Sequence, residues 1–287
     1  MNHLPPQPRD DHDKSLPEIL ADLQLRQRLS RRAALRRLGG AGLILSPLGA
    51  MAAVGCGEAV DGESIFTGGT TVSSCSVIPT ETGGPYPGDG TNGPNVLTQS
   101  GIVRSDIRSS FGSSGSNVAG GVVLTQTIQL VNTNASCASL AGYAIYLWHC
   151  SANGLYSMYS SGATTENYLR GVQQTDANGM VTFTTIVPGC YAGRVPHMHF
   201  EIYRSLANAA TSGSSAIKTS QLTYDRATLT AFYAAAGSTY GNSAANHAAV
   251  TLATDGIFSD GYSTQLASLT GSIGGGFSSA LTVGVAA

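Results

Sequence analysis

Charge is scarce in this chain. Of its 287 residues only 11% are Asp, Glu, Lys or Arg, less than half the usual globular share. Tryptophan occurs once, and lysine and glutamate are rare throughout. No CxxC pair is present, which argues against a zinc knuckle. No internal repeat recurs, so a solenoid is not indicated. A chain short of Lys and Glu but holding 36 glycines reads as short strands joined by many turns, not as a helical bundle.

The charge that is present is unevenly placed. Fifteen basic residues stand against 17 acidic ones, and eight of the basic residues precede residue 38. The rest of the chain carries seven basic and 12 acidic residues, a net charge near −5. A body of that sign offers no electrostatic footprint for nucleic acid or for an anionic membrane surface.

The early basic cluster ends in SRRAAL, Ser30 to Leu35, and an uncharged stretch follows from Leu38 to Gly57. A twin arginine ahead of an apolar, Gly/Ala-rich run is the layout of a twin-arginine export signal, assigned here to residues 1–56. Read as a membrane span the stretch is weak, because Gly39, Gly40, Gly42, Ser46, Pro47 and Gly49 interrupt it. The run AAVGC closes at Cys56. It fits a lipoprotein cleavage box with Ala53 in the usual leucine position, and it fits ordinary signal cleavage equally well. A lipid anchor at Cys56 is the only membrane attachment on offer. The expected destination is the cell envelope or the extracellular space.

Residues 57–74 are small, polar and without period, as in a linker, and residues 75–287 form the body. With Cys56 set aside, Cys75, Cys137, Cys150 and Cys190 remain. Four cysteines in an exported chain suggest two disulfides, with three connectivities open.

The body reads as β structure. Val118 to Val131 alternates apolar residues, and Tyr143 to Trp148 is aromatic and β-branched. Val172 to Thr175 and Met180 to Val187 flank Asp176-Ala-Asn-Gly179, a hairpin signal because Asn and Gly tolerate positive φ. Pro196 to Tyr203 forms another strand. Arg226 to Ala236 predicts a helix with Asp225 as its N-cap. The fold class expected is therefore all-β, a sandwich of mostly antiparallel strands with long loops and little helix.

His197 and His199 are separated by one residue within a strand-like segment. Side chains at i and i+2 share a strand face, so both imidazoles could reach one metal ion. By itself this pair is a weak signal. Pro188-Gly189-Cys190-Tyr191 and Arg194 precede it closely, and WHCSANGLYS (Trp148 to Ser157) places Tyr156 after a turn.

The stretch from Tyr168 to Phe200, YLRGVQQTDANGMVTFTTIVPGCYAGRVPHMHF, resembles the core signature of the intradiol ring-cleavage dioxygenases. The likeness runs from about Cys75 to Asp225, and the tail DGIFSDGYS is similar to that of exported bacterial members of the minimal sandwich form, which resembles protocatechuate 3,4-dioxygenase. The resemblance implies a non-haem ferric ion held by Tyr156, Tyr191, His197 and His199, with Tyr191 the ligand that leaves when substrate enters. It implies that Arg194 lies beside the substrate ring and stabilises its developing negative charge, and that Gln221 lines the same pocket. The implied substrates are a catechol-type aromatic and O2, and the products are cis,cis-muconate-type diacids. Cys190 departs from the family, which often has Trp or Pro there, and a disulfide tying that loop is one consequence. Self-association stays open.

The donor types suit the chemistry. A hard, highly charged ferric ion prefers anionic oxygen, and imidazole is also a good iron ligand. Two phenolates offset two of its three charges. Of the remaining polar residues, His149 reads as packed within the sandwich, His247 as a surface histidine, Trp148 as core, and Gly154, Gly171 and Gly189 as turn residues. Tyr159 and Tyr168 compete with Tyr156 only weakly. A copper–zinc superoxide dismutase also bears the HxH pattern but needs about six histidines. The other rivals are a binding module for aromatics or glycans that has lost catalysis and a structural lipoprotein.

Overall fold

Strand β1, VLTQTIQLVN, buries every second residue through Leu124, Gln126, Ile128 and Leu130, the alternation of a strand with one face on a core. The computed structural model describes residues 75–287. The export segment, Cys56 and the linker lie outside the described residues. The strands run in chain order as β1 (Val123–Asn132), β2 (Ala138–Ser139), β3 (Ala144–Trp148), β4 (Arg170–Gln174), β5 (Met180–Ile186), β6 (His197–Tyr203), β7 (Lys218–Tyr224), β8 (Leu266–Ala267), β9 (Thr270–Ser272) and β10 (Gly276–Val285).

They form two sheets. One has the order β2-β1-β10-β9 with β5 also on β1, and the other runs β4-β3-β6-β7-β8. Most pairs are antiparallel, whereas β1 with β10 and β7 with β8 are parallel. The core between the sheets takes Leu124, Ile128, Phe183 and Val283 from the first, and Leu147, Met198, Phe200 and Leu222 from the second. Each such side chain contributes about 1.5–3 kcal/mol by leaving water. This is the β-sandwich expected, and the helix Arg226–Ala236 with its cap, Asp225 accepting from Thr228 N at 2.8 Å, is also as expected.

The second sheet is covered on both faces. All seven residues of β6 are buried, and so are all five of β3. Met198, Phe200 and Ile202 face the core. On the opposite face Tyr146, Trp148 and Tyr203 join a second apolar cluster with Val96, Leu97 and Ile102 from the preceding loops. Tyr86, Val96, Leu97, Ile102 and Phe111 thus help cap the outer face over the polar groups β6 presents there.

Several expectations are corrected. Asp176 to Gly179 does make a tight turn, with Gly179 at φ +72° and its N–H donating to Asp176 O at 2.9 Å. The strands it joins do not form a hairpin, however: β4 pairs with β3 and β5 pairs with β1, so the turn carries the chain from one sheet to the other. The first strand starts at Val123 instead of Val118, because Gly120 and Gly121 precede it and Gly121 has φ +153°. Among the described residues only one disulfide forms, Cys75–Cys137, and Cys150 and Cys190 are free and buried. Gly171 lies inside β4, where Ile107 packs against it and a side chain would not fit. His247 is buried on the helix Ser243–Ala249, with Nε2 at 3.1 Å from Thr230 Oγ1.

Candidate metal centre

Strand alternation sends His197, His199, Glu201 and Tyr203 to the capped outer face of β6. His199 stands opposite Trp148 on β3 and Gln221 on β7, and His197 stands opposite Thr223. The His197 Nδ1 lies 2.6 Å from the carbonyl of Val195. A carbonyl only accepts, so Nδ1 carries the proton and the Nε2 lone pair points away from the backbone. His199 is oriented by stacking: its ring lies 5.0 Å from Trp148 at 8°, and Trp148 in turn lies 4.8 Å from Tyr146.

Two loops bring the phenols. Tyr156 follows the turn after β3, where Gly154 has φ +79° and packs against Tyr191 so closely that its missing side chain is a requirement. Tyr191 lies on the loop between β5 and β6. Gly189 there abuts the backbone of Ala152, which brings the two loops together. Tyr156 Oη is 3.4 Å from His197 Nε2 and 3.3 Å from His199 Nε2. Tyr191 Oη is 3.2 Å from His197 Nε2, and the two Nε2 atoms are 3.2 Å apart.

Four heads converge with two oxygens and two nitrogens. Donors held about 2 Å from one ion lie roughly 3 Å from each other at right angles, so this spacing suits a single small cation. Burial drives both histidines well below their ordinary pKa, and the nearby Arg194 charge adds to this, so the imidazoles offer lone pairs. Burial also raises Tyr156 well above 10 and pushes Tyr191 up to about 12. In a dry pocket the phenols stay protonated unless a strong cation stabilises the phenolate. A hard trivalent ion does that, and the donor set fits one. Among the described residues no group of three or more His, Cys, Asp or Glu side chains is placed to hold a metal ion.

Arg194 borders the cluster. Its Nη1 is 3.4 Å from His197 Nε2, and Nη2 donates to Gln221 Oε1 at 2.6 Å. Gln221 Nε2 donates to Thr82 O at 2.9 Å, tying the pocket to the capping loop. The guanidinium Nε meets Asp255 Oδ2 at 3.0 Å in a buried ion pair. The structure thus gathers Tyr156, Tyr191, Arg194, His197, His199 and Gln221 in one place.

Tyr159 and Tyr168 stay outside: Tyr159 donates to Asn92 Oδ1 at 2.8 Å, and Tyr168 packs at the edge of the core. His149 is buried between Cys150 O at 2.8 Å and Thr185 Oγ1 at 2.6 Å, as expected of a packed histidine.

Four contributors were not legible beforehand. Asp255 sits in the tail, 61 residues after Arg194. Gly84, at φ +72°, lies against the His199 ring, and the Tyr86 ring is 5.2 Å from that of Tyr156. Arg170, fully buried, donates to Ser157 Oγ and O, Pro87 O, Tyr86 O and Tyr146 Oη, clamping the Tyr156 loop and the capping loop onto the sheet. The runs YLRG and DGIFSDGYS held Arg170 and Asp255 but gave them no role.

Residues 94–209 match the profile of the family described as Dioxygenase. That stretch holds the four donors and Arg194, while Gln221 and Asp255 lie beyond it. No curated protein matches the chain. Among solved structures, an intradiol ring-cleavage dioxygenase from Tetranychus urticae is similar at a TM-score of 0.55 and 24% identity, over 73% of this chain and 94% of that one. The dioxygenase domain of a dioxygenase–carbohydrate-binding protein fusion from Streptomyces sp. SirexAA-E gives a TM-score of 0.45 and 20% identity, over 73% and 98%. The sequence of the central stretch carries the likeness to the Dioxygenase profile, and the fold carries the likeness to the intradiol enzyme from Tetranychus urticae.

Proposed function

We propose that this chain, an intradiol-type dioxygenase by its matched stretch and its sandwich, cleaves catechol-type aromatic rings between their two hydroxyls, with O2 as co-substrate and muconate-type diacids as products. The observation that carries the reading is the convergence of Tyr156, Tyr191, His197 and His199 beside a buried arginine. These four residues would hold ferric iron. When bound, the ion supplies Lewis acidity and redox chemistry toward a catecholate and dioxygen.

The residues divide the remaining work. Tyr156 is 3% exposed whereas Tyr191 is only part-buried, so Tyr191 is the phenol with room to turn aside as substrate enters. Its Oη then takes one of the two catechol protons. His197 and His199 stay fixed, one by the Val195 carbonyl and the other by the Trp148 stack. Arg194 presents N–H groups and positive charge at the edge of the cluster, where negative charge develops on the ring. Trp148 and Gly84 pack against the His199 ring and Tyr86 against the Tyr156 ring, which holds those two donors in place.

Export by the twin-arginine route is part of the same proposal. The Cys75–Cys137 disulfide supports it, since such bonds persist in oxidising compartments.

The test is a visible absorption spectrum of the iron-loaded protein before and after anaerobic addition of catechol. A red-brown protein whose band moves to longer wavelength, and which takes up oxygen when air is admitted, is the expected result. A colourless, iron-replete protein would overturn the tyrosine assignment. A protein that binds no ferric iron but does bind catechol would replace the enzyme with a binding module.

A further inference from the structure

Asp255 is completely buried, and every atom it contacts concerns Arg194 or the loop that carries it. Its carboxylate accepts from Arg194 Nε at 3.1 and 3.0 Å and from Val195 N at 2.8 Å. On its own loop it accepts from Ile257 N at 2.9 Å and Phe258 N at 3.3 Å. The Phe258 ring flanks the guanidinium, 5.9 Å from Cζ to centroid.

The way the carboxylate grips the arginine matters. An arginine–carboxylate pair commonly engages two nitrogens of the fork at once. Here both oxygens meet Nε alone, which leaves Nη1 facing His197 and Nη2 facing Gln221. The side chain is held at its elbow and both ends of the fork are free for the site. Because Val195 N bonds the same carboxylate, the backbone that precedes His197 is fixed in the same contact. The carboxylate also offsets a guanidinium charge that would otherwise stand uncompensated beside a cation site.

We infer that Asp255 is a positioning residue for ring cleavage: from the tail, 61 residues after Arg194, it aims the guanidinium at the reacting centre. The inference rests on the function proposed above, and part of its test does not.

The experiment is a double-mutant cycle of Asp255→Asn, Arg194→Ala and the double variant, with Asn chosen because it preserves size. In the metal-free protein the thermal midpoint should fall for each single variant, and the double variant should lie no lower than the worse single. In the iron-loaded protein Asp255→Asn should keep its colour and its iron. Its kcat should fall about 100-fold, while KM stays within about 3-fold. In the Arg194→Ala background the same substitution should change kcat by less than about 2-fold.

Losses that add, in either the metal-free midpoints or kcat, would overturn the positioning role, as would an unchanged kcat in Asp255→Asn. Wild-type iron-loaded protein that consumes no oxygen with catechol, yet shows full coupling when metal-free, would remove the enzyme reading and retain the Asp255–Arg194 assignment.

Discussion

Trp148 and His199 lie almost parallel, 8° between planes and 5.0 Å between ring centres, across the β3–β6 pair. The indole Nε1 is buried without a hydrogen-bond partner, so this tryptophan serves the site through its face and not its polar edge. Substitution by Phe removes the unpaired donor but shortens the surface that His199 rests on. We expect Trp148→Phe to fold and to bind iron about 10-fold more weakly. Chelator competition measures this, and wild-type affinity would mean the stack orients nothing.

Tyr156 has no alternative to the cluster: its Oη contacts only the facing imidazoles and the companion phenol. Tyr156→Phe should cost at least about 10-fold in iron affinity and abolish turnover, as should His197→Ala. Metal analysis of each purified variant, beside its oxygen uptake, gives the answer. Full activity in either would remove that residue from the ligand set.

The Cys75–Cys137 bridge closes a loop of 62 residues, and a loop of that size stabilises by roughly 4 kcal/mol through the unfolded chain. Replacing both cysteines with serine should lower unfolding stability by about that amount in urea. The visible spectrum of folded, iron-loaded protein should not change, because the bridge lies away from the four donors. A spectral change would place the bridge within the site's support.

Burial lowers the pKa of His149 to about 4, and the unfolded chain titrates near 6.5. Between these values the unfolded state holds a proton that the folded state lacks. The stability contribution is therefore complete above pH ~6.5 and is lost as pH falls toward ~4, at most about 3 kcal/mol. Urea unfolding at steps from pH 7 to 4 should show a steeper decline for wild type than for His149→Gln. The expected difference is up to ~1.4 kcal/mol per pH unit. Equal slopes would show that His149 does not carry the effect.

The six site residues were legible because their marks are local. Tyr191, Arg194, His197 and His199 fall within 12 consecutive positions, Pro188 to His199, and the resemblance carried by that run named Tyr156 and Gln221 with them. Asp255 opens the run DGIFSDGYS, but that run names no partner: an aspartate in the tail acquires one only when the chain has folded. The turn at Asn178-Gly179 could be read, but not its destination, because turn chemistry fixes φ and says nothing about which sheet receives the next strand. The cysteines failed for the same reason. Pairing depends on where distant loops come to rest, and Cys150 and Cys190 rest as buried thiols, Cys150 against the Gly189 carbonyl and Cys190 against that of Arg194. His247 looked solvent-facing in an alanine-rich run and is covered by the neighbouring helix, with Tyr233 5.5 Å from its ring.

The parallel pairing of β1 with β10 has a bearing on synthesis. β10 is the last strand of the chain, and it lies between β1 and β9, registered from Leu124 opposite Phe277 to Asn132 opposite Val285. The first sheet therefore stays open along one edge of β1 until the residues around Val285 have left the ribosome. Its closure joins segments far apart in sequence, Leu124 with Phe277, a topology that folds slowly. A nascent chain leaves that edge of β1 open to edge-to-edge association until β10 has been made, and a chain cut short before Phe277 would leave β1 with no neighbour on that side.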